Sequence, residues 1–188
     1  MYPYLDDRDP SIYDVDYVAF DLETTGLSME AEICEIGAVK FNLGHDEEVH
    51  YQTLVRPKAK IPWDATAVHG ITDEMVRRAP RLEAVLWNFE EFAMGSVLVA
   101  HNAKYDLKYI KGEEALKVPN LIVDTLPLAR KWFEGKPSYS LGNLVENENW
   151  HRALPDSVAC MKLFKNCVAE IERRFPDRAI LLTEVTRA

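Results

Sequence analysis

The chain is short of cysteine, of glycine and of positive charge, and each shortage excludes something. Among 188 residues there are three cysteines, Cys34, Cys160 and Cys167, an odd number with no CxxC or Cys/His ligand spacing. Neither a disulfide framework nor a zinc site is suggested, and a reducing, cytoplasmic setting fits. Eight glycines and ten prolines are too few for a fibrous or low-complexity chain. No run of about 18 apolar residues exists to span a bilayer, and the first sixteen residues have no basic start and no apolar stretch, so no secretory signal and no membrane partner are expected. Lys+Arg number 22 against 31 Asp+Glu, a net charge of -9, which speaks against the broad basic face on which non-specific nucleic-acid affinity rests. What is present is a 47% hydrophobic content. At this length one domain can bury roughly 70% of its unfolded surface without metal or disulfide staples.

Residues 1–16 carry Asp6, Asp7, Asp9, Asp14 and Asp16 against Arg8 alone and read as an acidic arm, extended or mobile, ahead of a single domain over 17–188. From Tyr17 to Glu23 the pattern alternates, with Val18, Phe20 and Leu22 on one face and Tyr17, Ala19, Asp21 and Glu23 on the other, which predicts a strand. Thr24-Thr25-Gly26 ends it. Strands around Ile33 to Phe41 and Val49 to Val55 follow, so three consecutive strands predict an antiparallel meander. Past the Pro57 to Pro62 loop the period changes: a short helix opens at Thr72-Asp73-Glu74, and Leu82, Val85, Leu86, Phe89 and Phe92 fall at helical spacing. Then come a short strand at Val97 to Ala100, a helix from about Ala103 to Ile110 capped by Asn102, a strand at Leu121 to Val123, and helices from Thr125 to Phe133 and from about Pro155 to Arg174. Arg178 to Val185 fits a helix or a strand. A meander followed by crossovers predicts an α/β fold, a mixed five-stranded sheet flanked by helices.

Asp21 and Glu23, two apart on an otherwise apolar strand, project from one face with Cα atoms roughly 6.5–7 Å apart. Two anions this close repel unless a proton or a divalent cation neutralises them. Taken alone, the pair fits a cation site or the solvated side of an edge strand. Asp106 lies on the first turn of the helix after Val97 to Ala100, near a strand end where α/β proteins place their sites; an ordinary exposed aspartate is the alternative. Lys104, Lys108 and Lys111 sit together on the opposite, solvated face of that helix. Pro155 is tolerated only in a first turn, which leaves His151 in the loop before the last long helix, free to swing over a site or simply exposed, with Asp156 just inside the helix.

Together Phe-Asp-Leu-Glu-Thr-Thr-Gly-Leu at 20–27, His-Asn-Ala-Lys-Tyr-Asp at 101–106 and His-Arg-Ala-Leu-Pro-Asp at 151–156 resemble the three motifs of the DEDDh group of DnaQ-like 3′→5′ exonucleases, relatives of the DNA polymerase III epsilon subunit and ribonuclease T. Val68 to Thr72 and Asp124-Thr125 resemble the family as well, and the likeness covers about residues 17–172. It implies a ribonuclease H-like fold, in agreement with the sheet read from periodicity. It implies that Asp21, Glu23, Asp106 and Asp156 hold two divalent cations, Mg²⁺ or Mn²⁺, and that His151 takes the proton from an attacking water; an unperturbed imidazole, with pKa about 6.5, is available as a base near neutral pH. Thr24, Leu27, His69, Asn102 and Tyr105 correspond to positions that meet the terminal nucleotide, core packing being the alternative for Leu27 and Tyr105. Tyr105, Pro155 and Ser157 depart from the commoner pattern without removing a ligand.

The expected reaction is release of nucleoside 5′-monophosphates from a free 3′ end of DNA, with a DNA polymerase subunit as a further partner. Competing expectations are an RNA-trimming enzyme of the same fold and a non-catalytic adaptor. The arm holds -4 of the net charge and residues 17–188 hold -5, so two bound ions bring the latter to about -1. That balance predicts a small site gripping only the last few nucleotides.

Overall fold

The computed structural model describes residues 9–110, 121–146 and 151–186. Residues 1–8 of the arm and Lys111 lie outside the described residues. The meander is present as β1 (Asp16–Thr24), β2 (Ile33–Asn42) and β3 (Glu48–Leu54). Helices α1 (Trp63–His69), α2 (Asp73–Val76) and α3 (Leu82–Ala93) lead to β4 (Val97–Ala100); α4 (Lys104–Ile110), β5 (Ile122–Asp124), α5 (Thr125–Trp132), α6 (Leu141–Leu144), α7 (Ala153–Arg174) and α8 (Leu182–Thr186) complete the chain. The strand order is β3-β2-β1-β4-β5, antiparallel across the meander and parallel from β1 to β4 to β5. This is the mixed five-stranded sheet that periodicity predicts. The short helices α1 and α6, with no long apolar stripe, escape that reading.

Period two on β1 divides the interior. Tyr17 and Ala19 enter a core with Val39, Phe41, Leu128, Phe164 and Val168 on the α5/α7 side, while Val18, Phe20 and Leu22 enter another with Ile36, Val85, Phe89 and Leu98 on the α3 side. Tyr17 is centred between Phe41 and Phe164, with ring centroids at 5.4 and 5.0 Å. Asp21 and Glu23 continue the Tyr17/Ala19 row, so the backbone alternation carries them toward α7.

From Asp9 onward the acidic arm is anchored. Ile12 and Val15 are buried, Ile12 N–H donates to the Ile180 carbonyl, Leu182 N–H donates to that of Pro10, and the Tyr17 hydroxyl donates to the Ile12 carbonyl at 2.8 Å. Two apolar side chains hold down a segment whose charges alone suggest a tail. The unassigned stretch near the C terminus forms an isolated bridge from Leu181 to Ser11 and then α8.

Helix α7 starts at Ala153, two residues before the expected start, with Pro155 still in the first turn where its missing N–H costs nothing. Its entry is set by Gly37 on β2, opposite Asp21 in the register. A Cβ at Gly37 would lie 2.1 Å from the backbone carbon of Ala153 and 2.1 Å from the nitrogen of Leu154. Only a residue without a side chain lets α7 approach β2 this closely.

Candidate active site

The carboxylates converge at one end of the sheet. Asp21 and Glu23 come from the last residues of β1, where the register slips between Glu23 and Thr24, a bulge of the kind that re-aims side chains beside sites. Asp156 comes from the first turn of α7 and is 9% exposed; Asp106 comes from the first turn of α4 and is 4% exposed, so it is not an ordinary solvated helix aspartate. Asp21, Glu23 and Asp156 each offer an oxygen within 4.8 Å of the others. Asp106 is not within that spacing of all three, yet among the neighbouring carboxylates it acts most strongly on Asp21.

Electrostatics shows what the cluster demands. Burial first, then repulsion from Asp106, Glu23 and Asp156, pushes Asp21 well above the ordinary carboxylate range. Burial and the charges of Asp156 and Glu35, opposed by Arg152, push Glu23 up to about 8. Burial also lifts Asp106 to about 7, against its own backbone hydrogen bond. At neutral pH the group carries mutual repulsion that a divalent cation converts into attraction, and hard carboxylate oxygens are the donors Mg²⁺ and Mn²⁺ prefer. The donor set and its crowding fit a metal.

His151 lies in the loop before α7, exposed, with φ 64°, and its backbone N–H donates to Asp156 Oδ2 at 3.0 Å. Candidate base and candidate ligand are thus tied together. Thr24 is buried, its hydroxyl donating to the Gly26 carbonyl at 2.7 Å. Leu27 is 80% exposed, which sets aside core packing for it, and Tyr105 is half-buried with its ring 5.6 Å from that of Tyr109. Asn102 is exposed in the left-handed region, φ 64°. His69 is buried: Nδ1 accepts the Ile71 N–H at 3.0 Å, which leaves the proton on Nε2, 3.9 Å from Cys34 Sγ, while the Thr24 backbone opposes the downward pKa shift that burial imposes on the ring.

The lysines differ from expectation. Lys108 does not simply face solvent: its ammonium donates to the Leu27 carbonyl at 3.2 Å and stands 4.1 Å over the Tyr105 ring and 4.4 Å over that of Tyr109. Cation–π attraction and a carbonyl at the strand-end turn outweigh full hydration. Lys104 is exposed as expected.

Three residues that hold the site together are not evident from the motifs' chemistry. Asp124 accepts the N–H groups of Asn102, Ala103 and Leu126 at 2.9, 3.1 and 3.0 Å, so one carboxylate caps both the α4 entry and α5. An aspartate before a helical run is a capping signal; its second duty depends on β4 and β5 being neighbours. Gly37, inside a strand, is a sequence signal of close backbone approach. Glu35 is 1% exposed and faces Glu23 across the ladder, where it accepts Arg152 through both oxygens at 3.0 and 2.6 Å, Ala153 N–H at 3.1 Å and Gln52 at 2.9 Å. Burial alone pushes Glu35 up, but these donors outweigh it and hold the carboxyl below its ordinary range. Glu35→Gln is expected to lower stability by about 2–3 kcal/mol in urea titrations at pH 7, because Arg152 loses its anion. A folded pKa that is lowered gives stability present above the unfolded value. The difference between the two proteins should therefore shrink as pH falls below about 4.3.

The exonuclease family (RNase_T) matches residues 18–164. DNA polymerase III PolC-type of Caldanaerobacter subterraneus subsp. tengcongensis is 39% identical over 166 residues, 84% of this chain and 12% of that protein. DNA polymerase III subunit epsilon of Treponema pallidum is 38% identical over 167 residues, 82% of this chain and 77% of its own length. The chain thus spans a small part of the PolC-type relative and most of the epsilon subunit. Exonuclease X, solved in complex with 5′ overhanging duplex DNA, is similar with TM-score 0.69 and 28% identity over 90% of this chain and 99% of its own. Escherichia coli exonuclease I, in complex with a dT13 oligonucleotide, shares the fold at TM-score 0.73 and 17% identity over 86% of this chain and 43% of its own.

Proposed function

This chain belongs to the RNase T-type exonuclease family, a family of hydrolytic nucleases, and from that premise we propose that it removes nucleoside 5′-monophosphates one at a time from the free 3′ end of DNA, single-stranded ends being preferred. The observation that carries the reading is the cluster of Asp21, Glu23 and Asp156 oxygens within 4.8 Å, with Asp106 pressing on Asp21. Those four carboxylates would hold two divalent cations, Mg²⁺ or Mn²⁺, which supply activation of the water and charge stabilisation at the phosphate and the leaving 3′ oxygen. Crowding of the carboxylates makes the site strongly attractive to cations and repulsive to a phosphodiester until it is loaded. His151 accepts the proton from the attacking water, its reach set by the Asp156 oxygen that fixes its backbone. Leu27 and Tyr105 offer faces for the terminal base, and Asn102, exposed just ahead of α4, offers an amide that makes no side-chain hydrogen bond among the described residues. His69 fixes Thr24 and so shapes the floor on which the terminal nucleoside rests. The curated relatives support a polymerase subunit as partner.

The test is direct. With 5′-labelled oligomers and Mg²⁺ or Mn²⁺, a descending ladder and released 5′-monophosphates are expected from DNA; EDTA or Asp106→Ala should stop it. A matched RNA oligomer degraded faster than DNA would reassign the substrate. No release from either strand would sink the nuclease reading. His151→Ala is expected to reduce kcat by about 10²–10⁴. Its Mn²⁺ affinity, read by calorimetry, should stay close to that of the parent, since the ligands are untouched; a variant that lost metal and rate together would move His151 out of the base's role.

A further inference from the structure

The charge balance of the chain conceals a local reversal. Between Arg56 and Arg81 there are six Lys/Arg, namely Arg56, Lys58, Lys60, Arg77, Arg78 and Arg81, against Asp64, Asp73 and Glu74. All three acids are engaged: Glu74 pairs with Arg77 at 2.8 Å, Asp73 Oδ1 accepts the Ile61 N–H at 2.9 Å, and Asp64 Oδ1 accepts the Ala65 N–H at 3.0 Å. Arg56, Lys58, Lys60, Arg78 and Arg81 are exposed and make no ion pair among the described residues. They are not scattered. One groove, of about 200 Å³, is lined by Glu32, Arg56, Lys58, Arg81, Glu83 and Tyr109; a second, of about 290 Å³, shares Arg56, Lys58 and Arg81 and adds Lys60 and Arg77 together with Asp73 and Glu74. Joined through those shared residues, the two make a trough of five cations against Glu32, Asp73, Glu74 and Glu83, and with Glu74 paired to Arg77 and Asp73 held by the Ile61 N–H, the unpaired charge is mainly that of Arg56, Lys58, Lys60 and Arg81.

The trough lies at the same end of the sheet as the active site. Leu54 on β3 pairs with Glu35, and Glu35 with Glu23, so the loop that follows β3 leaves the sheet at the end where the carboxylates lie. Glu32 couples this loop to the turn after β1. Its backbone exchanges two hydrogen bonds with Thr25, at 2.8 and 2.9 Å, and its carboxylate accepts the N–H groups of Lys58 and Ala59, both at 2.9 Å. Tyr109 lines the trough while its hydroxyl donates to the carbonyls of Gly26 and Ser28 at 3.2 Å, beside exposed Leu27. A polyanion leaving the site past Leu27 and Tyr105 meets Tyr109 next and then the cations.

We infer that this trough, through Arg56, Lys58, Lys60 and Arg81, is the track for the phosphate backbone of the nucleic-acid strand upstream of its 3′ end. The inference rests on the proposed nuclease reading and extends it: the protein grips more than the last nucleotides, although its net charge argues otherwise. From Arg56 to Lys60 the loop spans at most about 13 Å. A stacked strand presents a charge every 3.4 Å or so, so that span matches about three or four phosphates. Cations that meet phosphates carry no sequence information, so the grip is expected to be independent of sequence.

The experiment is anisotropy of 5′-fluorescein dT20 in EDTA, titrated with the parent, with Arg56→Gln/Lys58→Gln/Lys60→Gln, and with Lys131→Gln/Lys136→Gln/Lys162→Gln, which makes the same charge change elsewhere. The side chains of the first set make no hydrogen bond among the described residues, and equal melting temperatures for all three proteins verify the fold. The trough variant is expected to bind at least about tenfold more weakly at 50 mM salt, with a slope of log K against log salt shallower by about 2, while the control matches the parent. Equal binding by trough variant and parent overturns the track, as does an equal loss in the control, which would mean diffuse attraction. A parent that binds dT20 yet releases nothing from it in Mg²⁺ or Mn²⁺ leaves the track standing and overturns the nuclease reading instead.

Discussion

Asp21→Asn is expected to reduce nucleotide release by 10³-fold or more, about 4 kcal/mol in the barrier, and at the same time to make the metal-free protein more stable. The two effects have one cause. Asp21 is the carboxylate on which burial and the charges of Asp106, Glu23 and Asp156 all converge. Removing its charge relieves that repulsion and removes a donor from the centre of the cation site. In EDTA at pH 8 the variant's Tm should exceed that of the parent by about 5 °C, and the rise that Mg²⁺ produces in the parent should be much smaller in the variant. The pH dependence has a definite sign. Carboxyls whose folded pKa is raised bind protons more tightly in the native state, so stability is greatest below the unfolded value near 4 and falls as pH rises. Glu23 at about 8 and Asp106 at about 7 place that decline between roughly pH 4 and pH 8 in the metal-free protein. Saturating Mg²⁺ should flatten it. A parent whose Tm in EDTA climbs steadily from pH 5 to pH 8 would contradict this account of the cluster.

The second large effect is expected far from any functional group in sequence. Gly37→Ala adds one methyl, yet the new carbon would stand 2.1 Å from backbone atoms of Ala153 and Leu154, and backbone cannot rotate aside as a flexible side chain can. Either α7 shifts outward or β2 bends. The expected cost is about 2–3 kcal/mol, a fall in Tm of about 5–10 °C. Activity should fall further than stability alone explains, because the first turn of α7 carries Asp156 and the loop before it carries His151. A displacement of about 1 Å in such a constellation costs roughly 10²-fold in rate. The check is a single-turnover rate at a temperature where the variant is fully folded. A folded Gly37→Ala protein with the parent's rate would show that α7 does not need its close seat on β2.

The alternation from Tyr17 to Glu23 places Asp21 and Glu23 on one face without any knowledge of the fold, and the structure puts that face toward α7. The meander, the crossover strands and the long helices are equally legible, because each is a local pattern of apolar residues. The ends are less so. Residues 9–15 look like part of a charged tail, but Ile12 and Val15 find a core supplied by residues about 170 positions away. Lys108 looks solvated on a helical wheel, which cannot show that the turn after β1 brings the Leu27 carbonyl to it. Glu35 and Arg152 are ordinary charges until β2 and the start of α7 meet over Gly37.

The sequence alone determined which residue types were available and which of them share a strand face or a helical turn, since φ/ψ periodicity is a property of neighbours along the chain. Only the tertiary structure decided how strongly Asp106 and Asp156 act on Asp21, that Asp124 caps two elements, and that cations on either side of α1 and α2 line one trough. Coulombic repulsion, desolvation and steric contact depend on distance and burial in space, and those are set when the sheet closes against α3, α4 and α7.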